Sequence, residues 1–269
     1  MKKLNIVLLT LAFMLVSCGT TRTVPITGRQ QSLMVSDEQM LSLSTQEYNK
    51  YMTTAKKSTN AANTKMVQRV GQNLANAVMS YLRQNGLSSE LNGYKWEFNL
   101  VQDKSVNAFC MPGGKIVVYE GLLPVTKTET ALAIVLGHEI AHAVAKHYAE
   151  QMSKQYRQQV GTQIGGALLG ALGVDAQTVS LAQWVGQQGL QIRNLKYSRD
   201  HEYEADHMGL IFAAMAGYNP EEAIVFWQRM AQQSGNSGSD LFSDHPSDAK
   251  RIQYIKGWMP EAKKYYKKK

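Results

Sequence analysis

The sequence predicts an α+β domain, mostly helical, with a small antiparallel sheet and a helix carrying His138-Glu139-Ile140-Ala141-His142. Three observations predict it. Apolar residues recur at three- and four-residue spacing over long stretches, the period of a helix with one buried face. From Tyr94 the pattern changes to alternation, followed by the turn signal Pro112-Gly113-Gly114, as in strands joined by a hairpin. The HExxH stretch continues an apolar run, Ala131 to Gly137, that reads as a buried helix.

The elements follow in chain order. Lys2 and Lys3 precede an apolar run, Leu4 to Val16, too short for a comfortable membrane span. It ends in Leu15-Val16-Ser17-Cys18-Gly19, which resembles a bacterial lipobox. Residues 1–17 are therefore expected to be a lipoprotein signal peptide, with Cys18 as the lipidation site and the mature chain outside the cytoplasm. Multiple acyl chains would make that anchoring stable. Gly19, where Asp would favour the inner membrane, leans toward the outer membrane facing the periplasm. Residues 18–31, polar with Pro25 and Gly28, read as a tether; 32–262 as the folded domain; 263–269 as a basic tail.

Within the domain, Ser36 with Gln39 three residues on is a helix start, and the helical pattern runs toward Ala55. A second helix is expected from Asn63 to Gln84, with Met66, Val67, Val70, Leu74, Val78 and Leu82 on one face. Tyr94–Val101, Asn107–Met111 and Lys115–Tyr119 read as strands. The HExxH helix should run from Glu129 to Met152. Gly161–Gly173, rich in small residues, reads as a closely packed helix or loop. A further helix spans Ser198 to Ala216, another begins at Asn219-Pro220-Glu221-Glu222, and Ser234–Gly238 reads as a flexible loop.

Composition narrows the function. The formal charge of +8 sits partly in the Lys263–Lys269 tail, which suits anionic lipid or cell-wall polymer better than nucleic acid in an exported chain. No second apolar run of about 20 residues appears, so the body should be soluble. With Cys18 acylated, Cys110 stands alone between Phe109 and Met111 as a buried thiol, and no CxxC pair exists.

The chemistry lies in HExxH. Residues i and i+4 of a helix share a face, so His138 and His142 can grip one zinc ion, with Glu139 placed as a general base. A catalytic zinc needs a third protein ligand. The pattern HExxHxxGxxH fails, because Ala145 and Tyr148 occupy the Gly and last His positions. His147 points round the helix from His142, as a surface residue or an outer partner. The other option is a later helix, Ser198 to Gly209. There Glu202 and Asp206 share a face, suited to a ligand and to a carboxylate that orients a liganding His. Glu204 points nearly the opposite way, and it and His201 are the reserve ligands.

These residues, with Val24-Pro25-Ile26-Thr27-Gly28-Arg29, Asn107-Ala108-Phe109 before Pro112-Gly113-Gly114, Ser198-Arg199 and His245-Pro246 with Arg251, give the chain its resemblance. It resembles the HtpX-like and CaaX-prenyl-protease-like zinc metallopeptidases, in particular their periplasmic lipoprotein branch. The resemblance spans nearly the whole mature chain. It implies a gluzincin-type fold, one zinc ion per chain on His138, His142 and Glu202, and Asp206 as the partner behind a ligand. It also implies Glu139 as the base, His245 and Arg251 as candidates to stabilise the oxyanion, and an edge strand at Asn107, Ala108 and Phe109 that takes peptide as an added strand. His245 could instead coordinate zinc in a resting state. Cys110 and Met111 depart from the residues relatives often carry beside the scissile bond. The expected substrates are unfolded or misfolded envelope polypeptides, unassembled outer-membrane proteins among them, with outer-membrane assembly machinery as a possible partner. The alternatives are a non-proteolytic chaperone using the same cleft and a structural lipoprotein; neither accounts for Glu139.

Overall fold

The computed structural model describes residues 19–170, Trp184, 197–233 and 249–267. The signal peptide, Cys18, the last three residues of the Gly161–Gly173 stretch, Ser234–Gly238 and His245 lie outside the described residues.

The chain opens with a hairpin, β1 (Thr20–Thr23) and β2 (Gln30–Leu33), paired antiparallel. This corrects the expected tether. Val24 is fully buried, and the Gln31 amide donates to the Ala145 carbonyl at 3.0 Å and to Glu150 at 2.8 Å. Arg22, Arg29 and Gln31, among the polar residues that made the segment look solvated, have partners on the domain.

Helix α1 (Asp37–Thr54) begins as its sequence dictates. The Ser36 hydroxyl accepts from Gln39 N at 3.1 Å, and the Gln39 side chain accepts from Ser36 N at 2.9 Å. Helix α2 (Ala61–Gln84), capped by Asn60, buries Val67, Val70, Leu74, Val78 and Leu82.

The sheet orders β3 (Glu97–Val101), β5 (Lys115–Tyr119) and β4 (Ala108–Met111), with β4 at an edge. β4 and β5 form the expected hairpin across Gly113 and Gly114, whose φ angles of 86° and 85° suit glycine. β3, however, runs parallel to β5, so the sheet is mixed rather than wholly antiparallel. The connection after β3 crosses the end of β5 against Gly121, whose N–H donates to the Asp103 carbonyl at 2.9 Å. A Cβ at Gly121 would collide with the Lys104 carbonyl.

Alternation then divides the core. Leu100, Ala108, Cys110, Ile116 and Val118 face the helices of the main core. Val101, Phe109, Met111, Val117 and Tyr119 face a second cluster with Met40, Tyr48, Tyr148, Met152 and Trp184.

The expected helix Glu129–Met152 is two helices, α3 (Glu129–Val144) and α4 (His147–Gly170). Lys146 breaks them with a left-handed φ of 55°, held by ion pairs to Asp37 at 2.6 Å and Glu90 at 2.9 Å. Helix α5 (Arg199–Met215) starts at the Ser198 cap and ends before Gly217, with φ 90°. Helix α6 (Glu222–Gln233) follows. Helix α7 (Ala249–Tyr265) takes in Lys263 and Lys264, so the expected tail begins as the last turn of a packed helix whose Ala262 is buried.

Helices α3 and α5 cross with their backbones in contact. A Cβ on Gly137 would lie 2.8 Å from the Gly209 carbonyl, and one on Gly209 2.6 Å from His138 N. Two glycines facing each other permit the approach that sets His138 against the carboxylates of α5.

Candidate metal centre

The crossing of α3 and α5 brings three donors together. His138 Nε2 and His142 Nε2 lie 3.0 Å apart. Glu202 places Oε2 3.5 Å from the first and Oε1 3.5 Å from the second. All three side chains are buried. Ligand atoms about 2.0–2.1 Å from a tetrahedral zinc stand about 3.3 Å from one another. Taken with one ligand atom each, the three groups lie within 4.8 Å of one another, close enough to share one ion, and two imidazoles with a carboxylate are a donor set zinc favours. The fourth member of the motif, Glu139, is buried beside them.

Each imidazole is oriented from behind. His138 Nδ1 donates to Asp206 Oδ1 at 2.9 Å, which leaves Nε2 its lone pair for a metal. Asp206 is in turn held by Arg251, through Nε and, at 2.8 Å, through Nη2. Its carboxyl pKa is lowered: burial works against the charge, but the Arg251 and His138 interactions outweigh it. Burial also opposes the charged form of His138, yet bonds to Asp206 and Glu202 push its pKa up to about 9.

His142 has a longer support. Its Nδ1 lies 2.9 Å from His147 Nδ1, and His147 Nε2 lies 2.9 Å from Glu204 Oε2. One proton assignment satisfies the chain: His142 Nδ1–H donates to His147, and His147 Nε2–H donates to Glu204. His147 must be neutral for this, and burial lowers its pKa to about 4. Glu204 then receives Thr27 and Arg29, whose Nη2 bonds it at 2.7 Å, while the other edge of the guanidinium forks onto Glu150 at 2.7 Å. His201 faces the same Glu150 at 3.2 Å and is not placed as a ligand.

Several residues lie where sequence reasoning did not put them. Arg251, expected to face an oxyanion, is fully buried behind His138 and Asp206, with its guanidinium 3.6 Å over the Trp227 ring and Nη1 3.7 Å from Glu202. That geometry assigns it to positioning Asp206. Tyr197 was missed: its ring stacks on His142 at 4.0 Å. Burial, then Tyr148 and the charges of Glu139 and Glu202, raise its phenol pKa. Its one sequence signal is its place just before the Ser198 cap.

The expected substrate strand is β4. Asn107 precedes it and accepts from Ala108 N and Tyr119 N. Ala108 and Cys110 face the main core, Phe109 packs edge-on to Tyr51 and Tyr119, and all four residues of β4 are buried. Among the described residues β4 pairs only with β5. Burial first, then the Glu139 charge, holds the Cys110 thiol in its neutral form.

Comparison with known proteins agrees with the centre. Residues 61–259 match the profile of peptidase family M48. The chain is similar to the mitochondrial metalloendopeptidase OMA1 of Schizosaccharomyces pombe, at 39% identity over 176 residues, 65% of this chain and 50% of that protein. It is similar to the mitochondrial metalloendopeptidase OMA1 of Homo sapiens, at 32% over 248 residues, 89% of this chain and 46% of that one. It is also similar to the metalloprotease LoiP of Escherichia coli, at 28% over 175 residues, 65% and 67% of the two chains. The chain spans about half the length of the OMA1 relatives it matches.

Proposed function

The chain belongs to peptidase family M48, and from that membership we propose that it is a zinc-dependent metalloendopeptidase. The observation that carries the proposal is the buried triangle of His138, His142 and Glu202 with Glu139 one residue along the same helix. Zinc in that triangle would lower the pKa of a water and polarise the scissile carbonyl. Glu139 would take the proton of the attacking water and deliver it to the leaving amine. Asp206 and His147 fix which nitrogen each liganding imidazole presents. A peptide would lie along β4, adding a strand at the sheet edge.

At a finer level, we place the chain in the HtpX-like and CaaX-prenyl-protease-like branch of periplasmic lipoproteins. It would be anchored through Cys18 at the outer membrane and act on unfolded or unassembled envelope proteins, near the machinery that assembles them. The motif Leu15-Val16-Ser17-Cys18 supports the anchor. Among the described residues no helix is long and apolar enough to cross a membrane.

The test is hydrolysis of a casein-type substrate by wild type and by Glu139→Gln, with zinc measured in both. We expect full zinc in both and cleavage only by wild type. Near-wild-type turnover in the zinc-loaded variant would remove Glu139 from the mechanism. A fully zinc-loaded wild type that holds unfolded protein without cutting it would favour the chaperone.

A further inference from the structure

Helix α7 and the residues after it carry nearly all of the chain's net charge. Residues 249–269 contain eight Lys and Arg against one acid, Glu261, a net of 8 − 1 = +7 out of +8 for the whole sequence. Arg251, Ile255, Met259 and Ala262 form the buried side of the helix. An adjoining side holds Tyr254, Trp258 and Tyr265, at i, i+4 and i+11. Tyr254 is 46% exposed and Tyr265 37%, two of the three most exposed large apolar side chains among the described residues. The stripe continues onto α5: Tyr203 packs on Tyr254 at 4.7 Å, Tyr254 stacks on Trp258 at 5.6 Å, and Trp258 stacks on His207 at 4.9 Å. Exposed Lys250 and Lys264 flank it. Between Lys250, Gln253, Tyr254 and Trp258 runs a surface groove of about 500 Å³, open at Gly257, where a Cβ would meet nothing within 4 Å.

We propose that this face docks on the surface of an anionic lipid bilayer. The lysines would meet lipid phosphates, and the aromatic rings would sit at headgroup level with their polar tips in water. The stacking itself argues for a bilayer over a nucleic acid. Tyr254 stacks on Trp258, which also stacks on His207, and Tyr203 packs tilted against Tyr254, so part of the ring surface that bases would stack on is already taken up within the protein. Glu261, the one acid of α7, is bonded to His207 at 2.7 Å. Docking would have a definite result for the metal centre. Arg251, on the buried side of the same helix, bonds Asp206, so the centre would be held roughly one helix diameter, about 10 Å, beyond the docked face.

The inference is independent of the peptidase proposal and of acylation, so the test uses the full chain with Cys18→Ser. Its sedimentation with phosphatidylglycerol-containing vesicles is compared with that on pure phosphatidylcholine, which reads any contribution of the apolar residues 4–16. We expect salt-sensitive binding to the anionic vesicles. Lys250→Gln with Lys264→Gln should weaken it about 25-fold, at about fivefold per lysine. Tyr254→Ser with Tyr265→Ser should weaken it with the charge unchanged. Brominated phosphatidylglycerol should quench tryptophan emission in the parent and much less in Trp258→Phe. Circular dichroism confirms the fold of each variant. Equal binding by the parent and the lysine variant would overturn the proposal. So would failure to bind vesicles by a chain that binds heparin through the same lysines.

Discussion

Asp206 and His147 do the same job for two ligands by different routes, one carboxylate directly and one imidazole backed by Glu204. Removing a ligand and removing its support should therefore differ in degree. Glu202→Ala is expected to lose stoichiometric zinc, whereas His147→Gln should retain the site with zinc held about 10–100-fold more weakly. Chelator competition measures both; unchanged affinity in His147→Gln would make the contact with His142 incidental. The candidate donors were legible in part: i and i+4 spacing pairs His138 with His142 and Glu202 with Asp206, while the place of Glu202 beside the two histidines came from the family resemblance. His147 was not. In an unbroken helix it points away from His142, and only the left-handed Lys146 turns it back. Lysine gives no sequence signal for that conformation, as glycine would. For Arg251 the chain shows that an arginine is present, but not that it bonds Asp206 and packs over Trp227.

Most helices could be read from their starts and periods: α1 begins at the Ser36 cap the sequence pointed to, and α5 begins one residue after Ser198, where a helix was expected to start. The parallel pairing of β3 could not, since alternation fixes which face is buried and is silent on strand direction. Helix α7 was hidden by a lysine-rich end that resembles a solvated tail. The crossing of α3 and α5 depends on Gly137 and Gly209, neither of which contributes a side chain to the centre. Gly209→Ala places a methyl 2.6 Å from His138 N. We expect it to destabilise the fold by about 1–3 kcal/mol and to weaken zinc binding with every ligand intact. A wild-type melting temperature and wild-type zinc affinity in this variant would show that the helices separate without cost.

Across the whole molecule, Arg29 binds the N-terminal hairpin to α4 and α5 through Glu150 and Glu204. Both carboxyls are depressed in the folded state despite burial, Glu204 to about 2, so their contribution is present above the ordinary carboxylate range near 4.5 and is lost as pH falls toward 2. His147 adds a contribution of the same sign. Its pKa is about 4 in the folded chain against an ordinary value of 6.5, so the unfolded chain binds more protons between those values and stability falls there too. The chelated protein should lose melting temperature steadily from about pH 6.5 downward. Glu204→Gln should flatten the lower part of that curve. A flat profile over the whole range in wild type would show that the network contributes no net stability.

The Arg29 fork also has a kinetic side. It joins residues 121 and 175 positions apart in sequence, and the metal centre it supports reaches as far as Arg251. Contacts of such separation form late, after helices and local hairpins. On refolding, zinc capture should lag the far-ultraviolet signal, and Arg29→Gln should lengthen the lag. Capture in the same fast phase as helix formation would refute this. On the proposed peptidase function, a centre that closes last would be inert while the chain's own unfolded segments are exposed, a delay set by chain topology alone.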